Sequence, residues 1–301
     1  MSETRHPLAL PYWHVDAFAE RPFAGNQAAV LSLARWLPDD TLLAIAAENN
    51  FAETAFVVPD ASGAADWQLR WFTPACEVVL CGHATLAAGH VLLTLHGGQQ
   101  VVFRTWRSGL LEVRRAGEGY ELALPALPVE RRDNPGLLQA LGARGEAFAT
   151  VSDAGDTAIV VLDDEAAVRA LAPDLAALRE VGVMAIVTAR GERSDVVSRV
   201  FAPAWGVDED SVTGSAHAAL APFWAERFGR ESFTAHQASR RGGDLACRLD
   251  GERVWLGGPC VTVVEGTFRL PLPLLTPPSP PETDAPEPDE AESAAPPQHA
   301  R

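Results

Sequence analysis

The sequence predicts an α+β protein of two similar domains, each a mostly antiparallel sheet curled around one central buried helix, with a cleft between them. Three observations carry that expectation. The stretches CGHATLAAGH (residues 81–90) and TGSAHAALAP (residues 213–222) share one design: a glycine-containing turn, then small and apolar residues, with polar residues only at the front. Strand-like runs flank both stretches in the same order, at a period too long for a solenoid. The 301 residues are 47% hydrophobic, which is enough chain for two cores of about 130–150 residues each. The expected division is residues 1–118, residues 119–275 and a tail at 276–301.

PYWHVDAF and AAVLSL read as strands. DDTLLAIAAENN reads as a helix with Asp39 or Asp40 as its cap. FAETAFVVP is strand-like, and DWQLRWFTP alternates with the period of two that a strand imposes. ATLAAGHVLLTLH is apolar or small nearly all round, the pattern of a helix buried on every side rather than lying on a surface. HGGQQ ends it, and VVFRTW with LLEVRRA forms a hairpin. The second series starts near Tyr120. YELALP, FATVSD and GDTAIVVL read as strands, DDEAAVRALAPDLAALRE as helix, and VMAIVTAR and VVSRVFAP as strands. TGSAHAALAPFWAERF is the second buried helix and ends at Gly229. Pro222 inside it predicts a kink or an early break, because an interior proline costs a helix about 3 kcal/mol. FTAHQAS, LACRL, RVWLGG and VTVVEGTF close the region as short strands.

The charge balance, 24 basic against 40 acidic residues, argues against nucleic acid as a partner, since phosphate binding needs clustered Lys and Arg. It also leaves no polybasic patch for an anionic membrane surface. MSETRHPLALPYWHVDAF has no long apolar segment, so neither a signal peptide nor a membrane span is expected. Four cysteines, Cys76, Cys81, Cys247 and Cys260, lack CxxC spacing, which predicts free thiols in a reducing cytoplasm. The tail TPPSPPETDAPEPDEAESAAPPQHAR holds eight prolines and six acids. It is expected to be disordered, as a passive solubilising tail or a short interaction segment.

The two helix starts carry the chemistry. A helix N-terminus exposes unpaired N–H groups and a partial positive charge, and glycine lets a ligand approach the backbone. Gly82 and Gly214, facing each other across a cleft, would bind a carboxylate and stabilise an enolate beside it; alternatively, they only permit tight turns. Glu53, in an apolar strand, sits either at an edge in water or in the cleft with a raised pKa. Asp210 ends an acidic triplet that reads as a solvated loop, a helix cap or a site acid. His83 follows Gly82, with its ring expected at the cleft mouth, as a structural histidine or a proton donor. Ser215 occupies the matching place after Gly214. Cys81 reads as a small buried residue or, at a helix N-terminus, a thiolate base. His83, His90 and His217 make no metal signature, and HExxH, Walker and GxGxxG motifs are absent. No metal and no cofactor is expected.

HVDAFAERPFAGNQAAVL, NNFAETAFV, LRWFTPACEVVLCGHATLAAGHVL, DEDSVTGSAHAALAPFWA and QASRRGGDLACRLDGERVWLGG together resemble the PhzF-like family of phenazine biosynthesis, in order from about His14 to about Leu270. The resemblance implies two domains of the diaminopimelate-epimerase type, usually in a homodimer. The characterised phenazine enzyme isomerises trans-2,3-dihydro-3-hydroxyanthranilate by acid/base catalysis without a cofactor. Its catalytic glutamate corresponds to Glu53, its GH pair to Gly82 and His83, its motif aspartate to Asp210, and the following Gly-Ser to Gly214 and Ser215. Asn26 is kept in GNQ, where the family has GNP, and is expected with Gly82, Gly214 and Ser215 among the substrate-binding residues. Ser211 replaces the proline of the family's EDP, and both departures change loop rigidity near the cleft. His217 and APFWA resemble the broader branch of the family, which points away from a phenazine precursor as substrate.

The resulting expectation is a cofactor-independent isomerase. Glu53, His83 and Asp210 would carry the proton chemistry on a small carboxylate-bearing metabolite. Two alternatives stay open: a racemase or epimerase of the same fold using Cys81 with a second base, and a catalytically idle binding protein that keeps the fold.

Overall fold

The computed structural model describes residues 8–151 and 157–271. The tail expected at 276–301 and residues 152–156, which include parts of the strands expected over FATVSD and GDTAIVVL, lie outside the described residues. Among them, the chain runs β1 (Leu8–Ala17), β2 (Asn26–Ser32), α1 (Asp39–Asn49), β3 (Glu53–Pro59), β4 (Trp67–Phe72), β5 (Glu77–Val78), α2 (Gly82–His96), β6 (Gln100–Thr105), β7 (Leu110–Ala116) and β8 (Gly119–Pro125). It continues through β9 (Val129–Arg131), α3 (Pro135–Leu141), β10 (Glu146–Thr150), β11 (Thr157–Val161), α4 (Glu165–Ala170), α5 (Leu175–Val181), β12 (Met184–Arg190), β13 (Val196–Ala202) and β14 (Val207–Asp210). It ends with α6 (Gly214–Phe228), β15 (Ser232–Gln237), β16 (Gly243–Asp250), β17 (Arg253–Gly258) and β18 (Cys260–Leu270).

The pairing pattern repeats strand for strand. β1–β2 is antiparallel, β2–β3 parallel, β3–β4 and β4–β5 antiparallel, β4–β6 parallel, and β6–β7–β8 antiparallel. β10–β11 is antiparallel, β11–β12 parallel, β12–β13 and β13–β14 antiparallel, β13–β15 parallel, and β15–β16–β17 antiparallel. Parallel neighbours need a crossover. α2 supplies it between β4 and β6, and α6 does so between β13 and β15. Counted by this repeat, one half is the series β1–β9 and the other β10–β18, and the antiparallel pair β8–β17 joins them. Each half also donates a strand: β18 pairs with β1, and β9 pairs with β10.

Strand alternation sends one face of each half inward. Ala55, Val57, Leu69 and Trp71 share a core with α2, and Ile186 and Val200 share it with α6. The outer faces pack under α1 in the first half and under α3 and α5 in the second. The central helices are buried all round, as their composition predicts: residues Gly82 to Gly89 of α2 and Ala216 to Ala221 of α6 are all buried. Small residues make that possible. A Cβ at Gly89 would lie 2.4 Å from Val113 Cγ1.

Four local expectations are corrected. Neither Asp39 nor Asp40 caps α1; Pro38 holds that position without a side-chain bond, and Asp39 accepts from Arg70 Nη1 at 2.9 Å instead. The helix expected over DDEAAVRALAPDLAALRE is two short ones. Leu171 turns extended, Pro173 has no N–H to continue the ladder, and Asp174 starts α5 by accepting from Ala176 N and Ala177 N. α6 runs through Pro222 without breaking. The carbonyl four residues earlier, Ala218 O, accepts from Leu127 N at 3.0 Å, so the bond that Pro222 cannot make is replaced. The acidic triplet is not a free loop: it forms β14, in which Glu209 pairs with Arg199. The sequence reading assigned nothing to α3, where Asn134 caps and Pro135 takes the first helical position.

Candidate active site

β2 and β3 are parallel and start side by side, with Ala28 opposite Glu53. Their first residues, Asn26 and Glu53, therefore lie at one end of the sheet. Glu53 shares the face of Ala55 and Val57, the one that covers α2. The same end receives both helix tips. An added Cβ on Gly82 would lie 2.9 Å from Gly214 Cα, and one on Gly214 would lie 2.9 Å from Gly82 Cα. Only two glycines permit that approach. Neither Cys81 nor Thr213, the residues preceding the helices, caps its helix through its side chain.

A polar cluster occupies the junction. His83 is 3% exposed, so its ring is buried inside the site and not placed at the cleft mouth. Its Nε2 lies 3.2 Å from Glu53 Oε2. Both atoms are buried, and neither has an aligned hydrogen bond to a protein group. The other ring nitrogen, Nδ1, faces Asn26 Nδ2 at 3.2 Å and Cys81 Sγ at 3.6 Å. Asn26 Nδ2 donates to Asp210 Oδ1 at 2.8 Å and to Val212 O at 2.9 Å, across to the second half. Asp210 further accepts from Ser211 N at 2.8 Å and from Thr213 Oγ1 at 2.5 Å. It caps no helix. Ser215, second in α6, is partly exposed, and its hydroxyl has no partner among the described residues.

Glu53 is 18% exposed as a side chain, but Oε2 is covered. Burial raises its pKa above the ordinary carboxyl value; the neighbouring His83 opposes the rise, and the charge of Asp210 adds to it. Burial also pushes the Cys81 thiol well up, with the Glu53 charge acting in the same direction. Cys81 is therefore a thiol at neutral pH, despite its place at a helix start.

Among the described residues, Glu53, Cys81 and His83 bring one ligating atom each within 4.8 Å of one another. They do not fit a metal well. A histidine ligating through Nε2 ordinarily donates its Nδ1–H to an acceptor, and here Nδ1 faces an amide NH2 group.

The structure thus brings Glu53, His83, Asp210, Asn26, Gly82 and Gly214 together, with Ser215 at the α6 tip. Sequence reasoning gave no role to Gln237, which is fully buried. Its amide accepts from Thr213 N and donates to Asp210 O, each at 2.8 Å, and so holds the turn that carries Asp210. Its place at the head of QASRRGG was the available signal. Of the two departures from the family pattern, Ser211 supplies an N–H to Asp210 that proline lacks. Gln27 is turned toward His14, at 3.2 Å.

Two matching sheet-and-helix halves, with their helix tips meeting over a buried carboxyl–imidazole pair, define a protein of the diaminopimelate-epimerase fold. The hydroxyproline epimerase of Agrobacterium vitis shares that fold, with a TM-score of 0.57 at 13% identity over 91% of this chain and 96% of that one. The model of the phenazine biosynthesis-like protein family, PhzC-PhzF, matches residues 15–266. An uncharacterized isomerase of Pseudomonas aeruginosa is 49% identical over 269 residues, covering 87% of this chain and 100% of that protein. The PhzF-family structure from Enterococcus faecalis superposes with a TM-score of 0.80 at 41% identity, over 87% of this chain and 100% of that one. The chain belongs to the phenazine biosynthesis-like, PhzF, family.

Proposed function

We propose that the protein is a cofactor-independent isomerase of a small carboxylate-bearing metabolite, with Glu53 removing and returning the proton. The observation that carries this reading is the pair Glu53 Oε2 and His83 Nε2: buried, 3.2 Å apart, and without an aligned hydrogen bond to any protein group. Buried polar groups are ordinarily hydrogen-bonded, so a buried carboxyl–imidazole contact with unused hydrogen-bonding capacity suits a substrate's polar groups. Relatives named as isomerases support the same class.

The helix tips would hold the substrate carboxylate through free N–H groups and the helix dipoles, with the Ser215 hydroxyl beside them. Glu53 takes the proton from a carbon next to an electron-withdrawing group. The C–H electron pair is delocalised into that group, and the protonated Glu53 delivers the same proton to another carbon. Its raised pKa suits both halves of that task, since a stronger base accepts more readily and the resulting acid still donates near neutrality. His83 and Asp210 orient the substrate and share protons with it, and the helix-tip N–H groups stabilise the negative charge that develops. Positioned proton transfer supplies about 10²–10⁴-fold; charge stabilisation in the covered site supplies the remainder. The racemase alternative is less favoured, because burial raises the Cys81 pKa and disfavours the thiolate that would serve as its base. A homodimer in a reducing cytoplasm belongs to the same proposal, consistent with four free cysteines.

The test is a panel of small unsaturated or hydroxylated carboxylates incubated with the protein in D2O and followed by NMR. Isomerisation is expected with wild type, and a rate at least about 10³-fold lower with Glu53→Gln. Full turnover by Glu53→Gln would refute the mechanism.

A further inference from the structure

We propose that Asn26 is a positioning residue that sets the tautomer of His83, keeping the neutral imidazole hydrogen on Nε2, where it faces Glu53. The consequence for catalysis rests on the isomerase reading; the tautomer itself is a property of the resting protein.

The orientation of the Asn26 amide is decided by its neighbours. Its Nδ2 position lies 2.8 Å from Asp210 Oδ1 and 2.9 Å from Val212 O. Both are acceptors, and an amide oxygen in that place would meet two other oxygens with no hydrogen between them. The group there is therefore NH2, which has no capacity to accept. The same nitrogen lies 3.2 Å from His83 Nδ1. A hydrogen on Nδ1 would point at a donor, so Nδ1 presents its lone pair. The neutral ring must then carry its hydrogen on Nε2, 3.2 Å from Glu53 Oε2.

Cys81 is the rival neighbour, since a thiolate 3.6 Å from Nδ1 would accept a hydrogen. Its burial keeps it a thiol, whose one hydrogen is engaged by Glu53, and a neutral thiol sulfur is only a weak acceptor toward Nδ1. The groups facing the ring are then Glu53 from β3, Cys81 from the turn before α2, and Asn26 from β2 with Asp210 of β14 behind it. The arrangement differs from a carboxylate placed directly on imidazole Nδ1, which would favour the doubly protonated ring. Here the Asp210 carboxylate is turned away from the ring by the interposed amide. In the neutral ring the hydrogen on Nε2 then lies between Glu53 Oε2 and the site, within reach of a substrate oxygen, while Glu53 handles the carbon-bound proton.

Asn26 can perform this role because it is rigid. It is 3% exposed, and the preceding Gly25 N donates to Gly242 O of the second half at 2.7 Å. A residue of β2 thus sets the state of an α2 side chain only while both halves are docked.

The experiment is 15N NMR of histidine-labelled full-length protein without substrate, with His83 assigned by the signal lost in His83→Gln. Wild type is expected to show pyridine-like Nδ1 and pyrrole-like Nε2, with the Nε2–H form in about tenfold excess or more, the effect of opposing one donor to another. In Asn26→Leu, which keeps the volume and removes the donor, the Nδ1–H form is expected to become a major population. Circular dichroism confirms that the variants fold. A wild-type ring protonated at Nδ1, or a tautomer unchanged in Asn26→Leu, would overturn the proposal. Neither result depends on the deuterium experiment, so the isomerase reading stands or falls separately.

Discussion

At Glu53 the surrounding protein works against ionisation. The folded pKa lies above the ordinary value of 4.5, chiefly because the carboxyl is desolvated. The folded state then binds a proton more tightly than the unfolded chain. The stability tied to that proton is complete below the ordinary value and is lost as pH rises through the raised one. Glu53→Gln removes the charge and keeps the shape. We predict that it shifts the urea midpoint upward at pH 7 and that the advantage shrinks to nothing near pH 4. Equal midpoints at both pH values would mean that the carboxyl is well solvated. Such a trade of stability for a reactive group is common where a site needs a perturbed acid. Glu53, His83 and Asp210 are legible in the sequence because each stands in a recognisable string. The direction of Asn26 is not, because the acceptors that turn its amide, Asp210 Oδ1 and Val212 O, belong to residues far along the chain.

The two helix tips show the same division at the level of elements. Composition alone identifies α2 and α6 as helices buried on every side. It does not say that their first residues touch. Alanine at Gly82 would gain helix propensity, up to about 1 kcal/mol in a helix interior and less at the first position. Against that stands a Cβ 2.9 Å from Gly214 Cα, a backbone neighbour that cannot rotate away. Overpacking of this kind costs about 1–3 kcal/mol, so the clash wins. Gly82→Ala is predicted to lower stability in urea denaturation and, by wedging the tips apart, to reduce turnover more than it reduces stability. Unchanged stability would mean that the tips have room to separate. Pro222 teaches the complementary lesson. A residue that should interrupt a helix is accommodated because Leu127 N, from the connection after β8, takes the freed Ala218 carbonyl. No reading of α6 in isolation could supply that donor.

Across the whole molecule, the halves are held by donated strands and by a buried ion pair next to the site. Asp16 of β1, 1% exposed, accepts from Arg241 Nη2 at 2.8 Å and from Phe23 N at 2.9 Å. Arg241, from the β15–β16 turn, also donates to Ala24 O at 2.9 Å and Gly25 O at 2.8 Å. It thereby clamps the loop that leads into Asn26. That loop carries left-handed backbone at Phe18 and Phe23, with φ of 57° and 70°, a strain that persists only when surroundings impose it. Arg241→Met leaves a buried carboxylate without its cation and is predicted to cost about 3–5 kcal/mol. Adding Asp16→Asn should recover a large part of that loss, read as non-additivity in a double-mutant cycle. Simple additivity would show that the pair does not couple the halves.

Sequence by itself determined the duplicated α+β plan, the two buried helices and the family, and it singled out Glu53, His83 and Asp210 as the candidates for proton chemistry. Those are local matters, written in the period of apolar residues and in short strings that chemistry constrains. Only the tertiary structure decided that two glycines touch, that His83 is buried and faces Glu53, that Asn26 faces inward, and that Gln237 and Arg241 support the site. Each of those depends on atoms distant in the chain meeting within hydrogen-bond or van der Waals range, and the strand exchange between the halves is what brings them there.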